Sequence, residues 1–205
     1  GECGACSVML ARRDGDDRTR WAAVNACLLP ASALAGQEVV TSEGLGSPEA
    51  LHPVQHEMAV RGGSQCGYCT PGFVCSMAAE FYRPDRAPSP KDHGGEVGPN
   101  GFDLTAISGN LCRCTGYRPI RDAAFALGLP QTDDGLASRL EGPGPAAAPV
   151  VVDGPTGSYV RPADLDEAIH LPPCEPTKIV AVHLNYDSRT QEFMTRLPSA
   201  PTYFH

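Results

Sequence analysis

The cysteines are the side chains of this sequence whose type and spacing could do chemistry. There are nine of them, and most lie in three close pairs. These pairs are Cys3 and Cys6, Cys66 and Cys69, and Cys112 and Cys114. Cysteines two or three residues apart rarely form a structural disulfide with each other, whereas their thiolates can bind one metal centre. Because nothing in the sequence indicates secretion, we interpret the pairs as metal ligands.

Two of the pairs, Cys66 with Cys69 and Cys112 with Cys114, supply four thiolates. Four thiolates suit either a structural zinc ion or an iron–sulfur cluster, and the number of ligands does not decide between them. Glycines close to these cysteines would let backbone amides approach bridging sulfides, which favours iron. These glycines are Gly67, Gly72, Gly109 and Gly116.

The third pair has a different partner. Cys3, Cys6 and the later Cys27 fit the last three ligands of the plant-type [2Fe–2S] pattern, C-x4-C-x2-C followed by a distant cysteine. The first ligand of that pattern would precede Gly1. We therefore expect this chain to begin inside a longer protein, which would also account for the absence of an initial Met.

The elements that must position these cysteines change in type along the chain. Period-two patterns and turn residues predict three short strands, at residues 7–10, 21–25 and 38–41. Helix signals follow, with helices beginning near Pro53 and Thr70, a shorter helical run at 104–111 and a last helix after Thr115. Cys69 and Cys114 each come directly before a helix start, where backbone N–H groups favour the thiolate.

Composition limits the remaining possibilities. The net charge of −8 disfavours nucleic acid and anionic membrane surfaces as partners. No apolar run approaches the roughly 20 residues of a membrane span. The 22 glycines and 20 prolines predict long loops, which we assign to a surface insertion at 84–101 and a linker at 130–157.

Several blocks of sequence, in this order, closely resemble the iron–sulfur part of the xanthine dehydrogenase family of molybdenum hydroxylases. The resemblance extends from residue 1 to about residue 128. The blocks are Gly1–Cys6, Val24–Leu28, Thr41–Leu45, Leu51–Gln55, Gln65–Gly72 and Gly109–Ile120.

This resemblance implies an α+β fold in four parts. Residues 1–45 would form a partial β-grasp domain of the plant ferredoxin type, and residues 46–129 a four-helix [2Fe–2S]-binding domain. A linker at 130–157 and an incomplete segment at 158–205 would follow. Of the two [2Fe–2S] clusters of the intact protein, we expect the one held by Cys66, Cys69, Cys112 and Cys114 to assemble in this chain.

The resemblance also implies a role as the electron-transfer component of an oxidoreductase. Electrons released at a molybdopterin centre would pass through the two clusters to FAD. Partner subunits or domains would bind the molybdopterin and the FAD, and the hydroxylation chemistry would lie outside this chain. By the same resemblance Gln65 and Cys114 would lie near the molybdopterin, and the protein would be cytoplasmic.

Two alternatives remain open. The cysteines could form a structural zinc or interaction module. The tail at 172–205 resembles the start of the fumarylacetoacetate hydrolase family, but the sequence ends before that family's acidic metal ligands, so we assign it no activity.

Residues 158–168 resemble the entry to the FAD-binding domain of the molybdenum hydroxylases. Of the two other cysteines, Cys75 is predicted to be a buried helix residue, and Cys174 has no cysteine near it.

Overall fold

The computed structural model describes residues 1–15, 17–88, 95–146, 148–162, 179–180 and 203–204. The chain divides into two units, Gly1–Leu165 and Asp166–His205. In the second unit two short strands, 179–180 and 203–204, pair in antiparallel fashion. The segment predicted to resemble a hydrolase lies largely outside the described residues. No helix among those described is long and apolar enough to cross a lipid bilayer.

A small antiparallel sheet begins the first unit. Strands β1 (Ser7–Asp14) and β2 (Arg18–Asn25) form a hairpin, and β3 (Val39–Val40) pairs with the other edge of β1. This arrangement confirms the three predicted strands, although β1 and β2 are longer than predicted. The hairpin extends because Ala11 pairs with Trp21 and pairing continues to Asp14 and Arg18 at the turn.

Three α-helices follow the sheet, namely α1 (Pro53–Val60), α2 (Thr70–Phe81) and α3 (Arg118–Ala126). Helix α2 is central, because nine of its 12 residues are buried and it packs against both β1 and β2. Its apolar side chains share one core with strand β1 and helix α3. All three helices lie where the sequence predicts them.

The fourth predicted helix is reduced to a 3₁₀ turn, Leu104–Ile107. The Asp103 side chain accepts a hydrogen bond from the Thr105 amide and starts the turn. The turn ends at Ile107. The Ser108 hydroxyl then donates a hydrogen bond to the Thr105 carbonyl, and the Asn110 side-chain amide donates one to the Gly4 carbonyl. The described part of 46–129 therefore contains three α-helices and one 3₁₀ turn, and the predicted four-helix arrangement is not confirmed.

Part of the predicted linker at 130–157 is packed on the sheet. Helix α4 (Gly135–Ser138) is followed by a 3₁₀ turn at 139–141 and by a hairpin of β4 (Val150–Gly154) and β5 (Gly157–Arg161). The Trp21 indole donates a hydrogen bond to the Leu136 carbonyl, and the Thr19 hydroxyl donates one to Gly142. We call residues 134–144 the strap, because they join the sheet through these bonds.

Candidate metal centre

The fold brings four cysteines together, Cys66 and Cys69 from one close pair and Cys112 and Cys114 from the other. The Cys66 thiol hydrogen-bonds to Cys114, and the Cys69 thiol to Cys112. Cys69 is the cap residue of α2, whereas Cys112 and Cys114 lie in the loop before α3. Cys69 and Cys112 are buried, while Cys66 and Cys114 are exposed. We call these four cysteines the helical site.

The backbone at this site is shaped to bring amides close to sulfur. Gly67 has a φ of 84°, a conformation that costs glycine least. The turn that it makes leaves the Tyr68 amide bonded to the Cys66 thiol, which lowers the pKa of that thiol. The turn closes when the Thr70 amide donates to the Gly67 carbonyl at 3.3 Å.

The two buried thiols differ in their ease of ionisation. Burial raises the pKa of Cys69 to about 11, and its bond to Cys112 acts in the same direction. Burial also opposes ionisation of Cys112, but hydrogen bonds from the Thr115 hydroxyl and amide outweigh it and lower the pKa of Cys112 to about 7. Thiolates are the form that binds metal, so Cys112 is the better prepared of the two.

The arrangement of thiols fits a [2Fe–2S] cluster. In such a cluster four cysteines serve two irons, so each iron takes two protein ligands. The helical site offers thiols in two contacting pairs. Two thiol pairs match this division of ligands between two irons.

The three remaining ligand candidates meet at one end of the hairpin. Because Ser7 pairs with Asn25, Cys6 just before β1 and Cys27 just after β2 lie side by side. The Cys27 amide donates to the Cys6 sulfur at 3.4 Å, and the hydrogen bond between the two thiols lowers the pKa of Cys27. Cys3 is close enough to Cys27 to influence that pKa. We call Cys3, Cys6 and Cys27 the N-terminal site.

The two sites are joined by direct backbone contacts. The Leu111 amide donates to the Cys3 carbonyl at 2.9 Å, and the Asn110 side chain donates to the Gly4 carbonyl at 3.0 Å. Gly72 of α2 lies so close to Gly4 that a Cβ atom there would overlap the Gly4 carbonyl oxygen. The backbone at Cys3 and Gly4 is therefore held against the backbone at Asn110 and Leu111 and against the first turn of α2.

Three residues that contact the cysteine loops were not among the predicted site residues. Asn110 joins the sites, and Thr115 and Tyr117 bond to Cys112. A hydroxyl three residues after a candidate ligand cysteine is a local pattern that could have indicated Thr115.

The predicted Gln65 is exposed beside Cys66. Cys75 is buried on α2, as its sequence pattern predicts, and burial raises its pKa to about 11.

Comparison with known proteins supports the iron–sulfur interpretation. Residues 41–125 match the family model of the [2Fe-2S] binding domain. The xanthine dehydrogenase of Drosophila pseudoobscura pseudoobscura is 52% identical over 137 residues, which cover 63% of this chain and 9% of that protein. The xanthine dehydrogenase of Emericella nidulans is 43% identical over 131 residues, again 63% of this chain and 9% of that protein.

A solved structure, the quinoline 2-oxidoreductase from Pseudomonas putida 86, is 32% identical with a TM-score of 0.47. The match covers 62% of this chain and 65% of that chain. This chain spans about a tenth of the length of the curated relatives that it matches. The matches give no support to the resemblance of the tail at 172–205 to fumarylacetoacetate hydrolases.

Proposed function

We propose that this chain is the electron-transfer component of an oxidoreductase of the molybdenum hydroxylase type. The observation that carries the proposal is the helical site, where four thiols meet in two pairs within the matched [2Fe–2S] binding domain. The proposed ligands are Cys66, Cys69, Cys112 and Cys114. When bound, a [2Fe–2S] cluster takes up and gives up one electron.

The protein around the helical site performs two tasks. Burial of Cys69 and Cys112 keeps water from one side of the site, and solvent exposure is one of the factors that set a cluster's potential. Hydrogen bonds from Thr115 to the Cys112 sulfur stabilise negative charge on that ligand. These hydrogen bonds favour the added negative charge of a reduced cluster at Cys112.

The N-terminal site extends the route. Cys3, Cys6 and Cys27 are proposed as three ligands of a second [2Fe–2S] cluster. The Leu111 amide, one residue from Cys112, bonds directly to the Cys3 carbonyl. A ligand residue of one site is therefore separated from the other site by one hydrogen bond and a short stretch of backbone, which supports electron passage between them.

The exposed side of the helical site gives the route a direction. Cys66 and Cys114 are exposed, as is Gln65, and we propose that this side faces a molybdopterin-binding subunit or domain. An FAD-binding subunit or domain would receive electrons beyond the N-terminal site.

The state of the cysteines bears on the compartment in which the protein would work. The eight described cysteines are free, and a reducing compartment such as the cytoplasm keeps thiols in that state.

Anaerobic reconstitution of this chain with iron and sulfide tests the proposal. We expect iron and acid-labile sulfide in a ratio of about 1:1, visible absorption that dithionite bleaches, and an EPR signal from the reduced protein. A colourless product would contradict the proposal. Stoichiometric zinc binding with no redox signal would instead favour the structural zinc module.

A further inference from the structure

Three hydrogen bonds form a closed set around Cys112, one ligand of the helical site. The Cys112 amide donates to the Tyr117 hydroxyl oxygen at 3.0 Å. The Tyr117 amide donates to the Thr115 hydroxyl oxygen at 3.2 Å. The Thr115 hydroxyl lies 3.0 Å from the Cys112 sulfur. Each of the three residues thus holds the next.

The direction of the last bond follows from chemistry. A metal-bound cysteine is a thiolate and has no proton to donate. The Thr115 oxygen already accepts a hydrogen bond from the Tyr117 amide, so its own proton is free to point at sulfur. The Thr115 hydroxyl therefore donates to the Cys112 sulfur, together with the Thr115 amide at 3.4 Å.

Tyr117 has an unusual backbone that makes this set possible. Among the described residues it is the only one other than glycine with a positive φ, at 67°. This conformation costs a residue with a side chain about 1–2 kcal/mol. It is held by the bond to the Cys112 amide and by an edge contact between the rings of Tyr117 and Phe73. Such strained residues concentrate at functional sites.

We infer that Tyr117 is a positioning residue that sets the reduction potential of the helical-site cluster by directing the Thr115 hydroxyl onto the Cys112 sulfur. The inference rests on the proposed function and adds to it the groups that tune the site. A hydrogen bond to a ligand sulfur stabilises the extra negative charge of the reduced state, and so raises the potential.

An EPR-monitored redox titration of the reconstituted chain tests the inference. Thr115→Val removes the hydroxyl, and we expect a fall of about tenfold in the equilibrium constant for reduction, which is about 59 mV for one electron. Thr115→Ser keeps the hydroxyl and should keep the wild-type potential. Tyr117→Phe removes the acceptor of the Cys112 amide and should lower the potential by less than Thr115→Val.

The double variant decides whether Tyr117 acts through Thr115. If it does, Tyr117→Phe changes nothing further in the Thr115→Val protein, whereas additive shifts would overturn the inference. Tyr68→Phe is the matched control, because Tyr68 lies between Cys66 and Cys69 in the sequence and its exposed hydroxyl makes no hydrogen bond among the described residues. We expect it to leave the potential unchanged.

The outcomes separate this inference from the proposed function. A wild-type chain that gives no EPR signal contradicts the proposed function. A wild-type signal whose potential is the same in Thr115→Val contradicts only the inference. Iron content per chain verifies that each variant is loaded. If Thr115→Val does not bind iron, Tyr117→Phe decides alone, since an unchanged potential in that variant overturns the inference.

Discussion

The helical site and the N-terminal site start from the same pattern, a Cys-x-x-Cys pair with a later partner, but the fold supports them differently. In the helical site Cys69 and Cys112 are buried, and Thr115 donates two hydrogen bonds to the Cys112 sulfur. In the N-terminal site Cys27 is exposed, and Cys3 and Cys6 are half-buried.

This difference has a structural cause. In the loop before α3 the Thr115 hydroxyl and amide both reach the Cys112 sulfur, whereas the Cys69 side chain at the start of α2 makes no cap hydrogen bond. The end of a hairpin has already used most of its N–H groups in strand pairing, and the Cys27 amide is the one that reaches the Cys6 sulfur. Equal cysteine spacing therefore does not give equal protection, because the neighbouring element supplies it.

The largest expected effect is loss of the metal from one site without loss from the other. Cys69→Ser removes the buried thiol that contacts Cys112, and we expect the iron and the EPR signal of the helical site to disappear. Cys27→Ser should leave both unchanged, because Cys27 belongs to the N-terminal site. Iron analysis and EPR of the reconstituted variants measure both outcomes.

Cys75→Ser is the matched control for Cys69→Ser. Cys75 is buried on the same helix but lies in the apolar core and not among the ligand thiols. Its replacement should cost some stability, since a hydroxyl is harder to bury than a thiol, and should leave the iron in place. Loss of iron from Cys75→Ser at wild-type stability would contradict the ligand assignment.

The contact between the two sites provides the next test. Gly72→Ala would normally stabilise a helix by up to about 1 kcal/mol. Here the added Cβ would overlap the Gly4 carbonyl oxygen and lie 2.9 Å from the Ala5 Cα. Backbone atoms cannot move aside easily, so we expect net destabilisation of about 1–3 kcal/mol in denaturant unfolding. Gly109→Ala, which meets nothing within 4 Å, should change stability little.

The sequence predicts the cysteine sites better than their surroundings. Spacing groups Cys66 with Cys69 and Cys112 with Cys114, whereas the structure brings the Cys66 thiol to Cys114 and the Cys69 thiol to Cys112. Helix α2 follows from its Thr-Pro start and apolar stripe. The bonds of Asn110 and Tyr117 depend on tertiary contacts and on a positive φ at a tyrosine, which residue preferences do not indicate.

The strap makes more contacts with the sheet than its composition predicts. Its glycines and prolines are typical of a linker, so local composition predicts one. The structure docks it because Asp134 caps α4 through the Leu136 and Ala137 amides, and Leu140 is buried. Single apolar residues at wide spacing produce little periodic signal, although one of them can still hold a segment against a sheet.

A pH-dependent change in the free energy of unfolding is expected from His52, at the start of α1. His52 caps α1 by accepting the Val54 amide at Nδ1, so its proton is on Nε2 and is donated to the Tyr82 hydroxyl at 2.8 Å. Tyr82 in turn donates to Asp134. Burial lowers the pKa of His52, although the Asp134 charge acts in the opposite direction. His52 is therefore neutral in the folded protein near neutral pH.

The sign of the effect follows from this lowered pKa. Below about pH 6.5 the unfolded chain binds a proton at His52 that the folded chain does not, so stability falls as the pH decreases toward the folded pKa. The full contribution is present above about pH 6.5. His52→Asn keeps a capping side chain and should flatten the slope. A wild-type slope in His52→Asn would contradict this assignment.

The smallest effect is expected on the sheet side, where Arg139 of the strap binds Glu38 with two hydrogen bonds of 2.8 and 2.6 Å. These bonds lower the pKa of Glu38, so the pair stabilises the fold above about pH 4.3 and loses that contribution as the pH falls through the folded pKa. Because the Glu38 side chain is 44% exposed, we expect Glu38→Gln to cost less than about 1 kcal/mol.

Salt and a second ion pair make this small effect measurable by comparison. The Arg18–Glu141 pair is more exposed, at 54% and 73%, so Glu141→Gln should cost less than Glu38→Gln in denaturant unfolding. Both costs should shrink in high salt, because exposed charges are screened. Arg139 also donates to Thr19 and to the Pro143 carbonyl, so Arg139→Ala should exceed both. Equal costs for all three variants would mean that these charged side chains do not hold the strap, and that Leu140 and the bonds of Trp21 and Thr19 hold it instead.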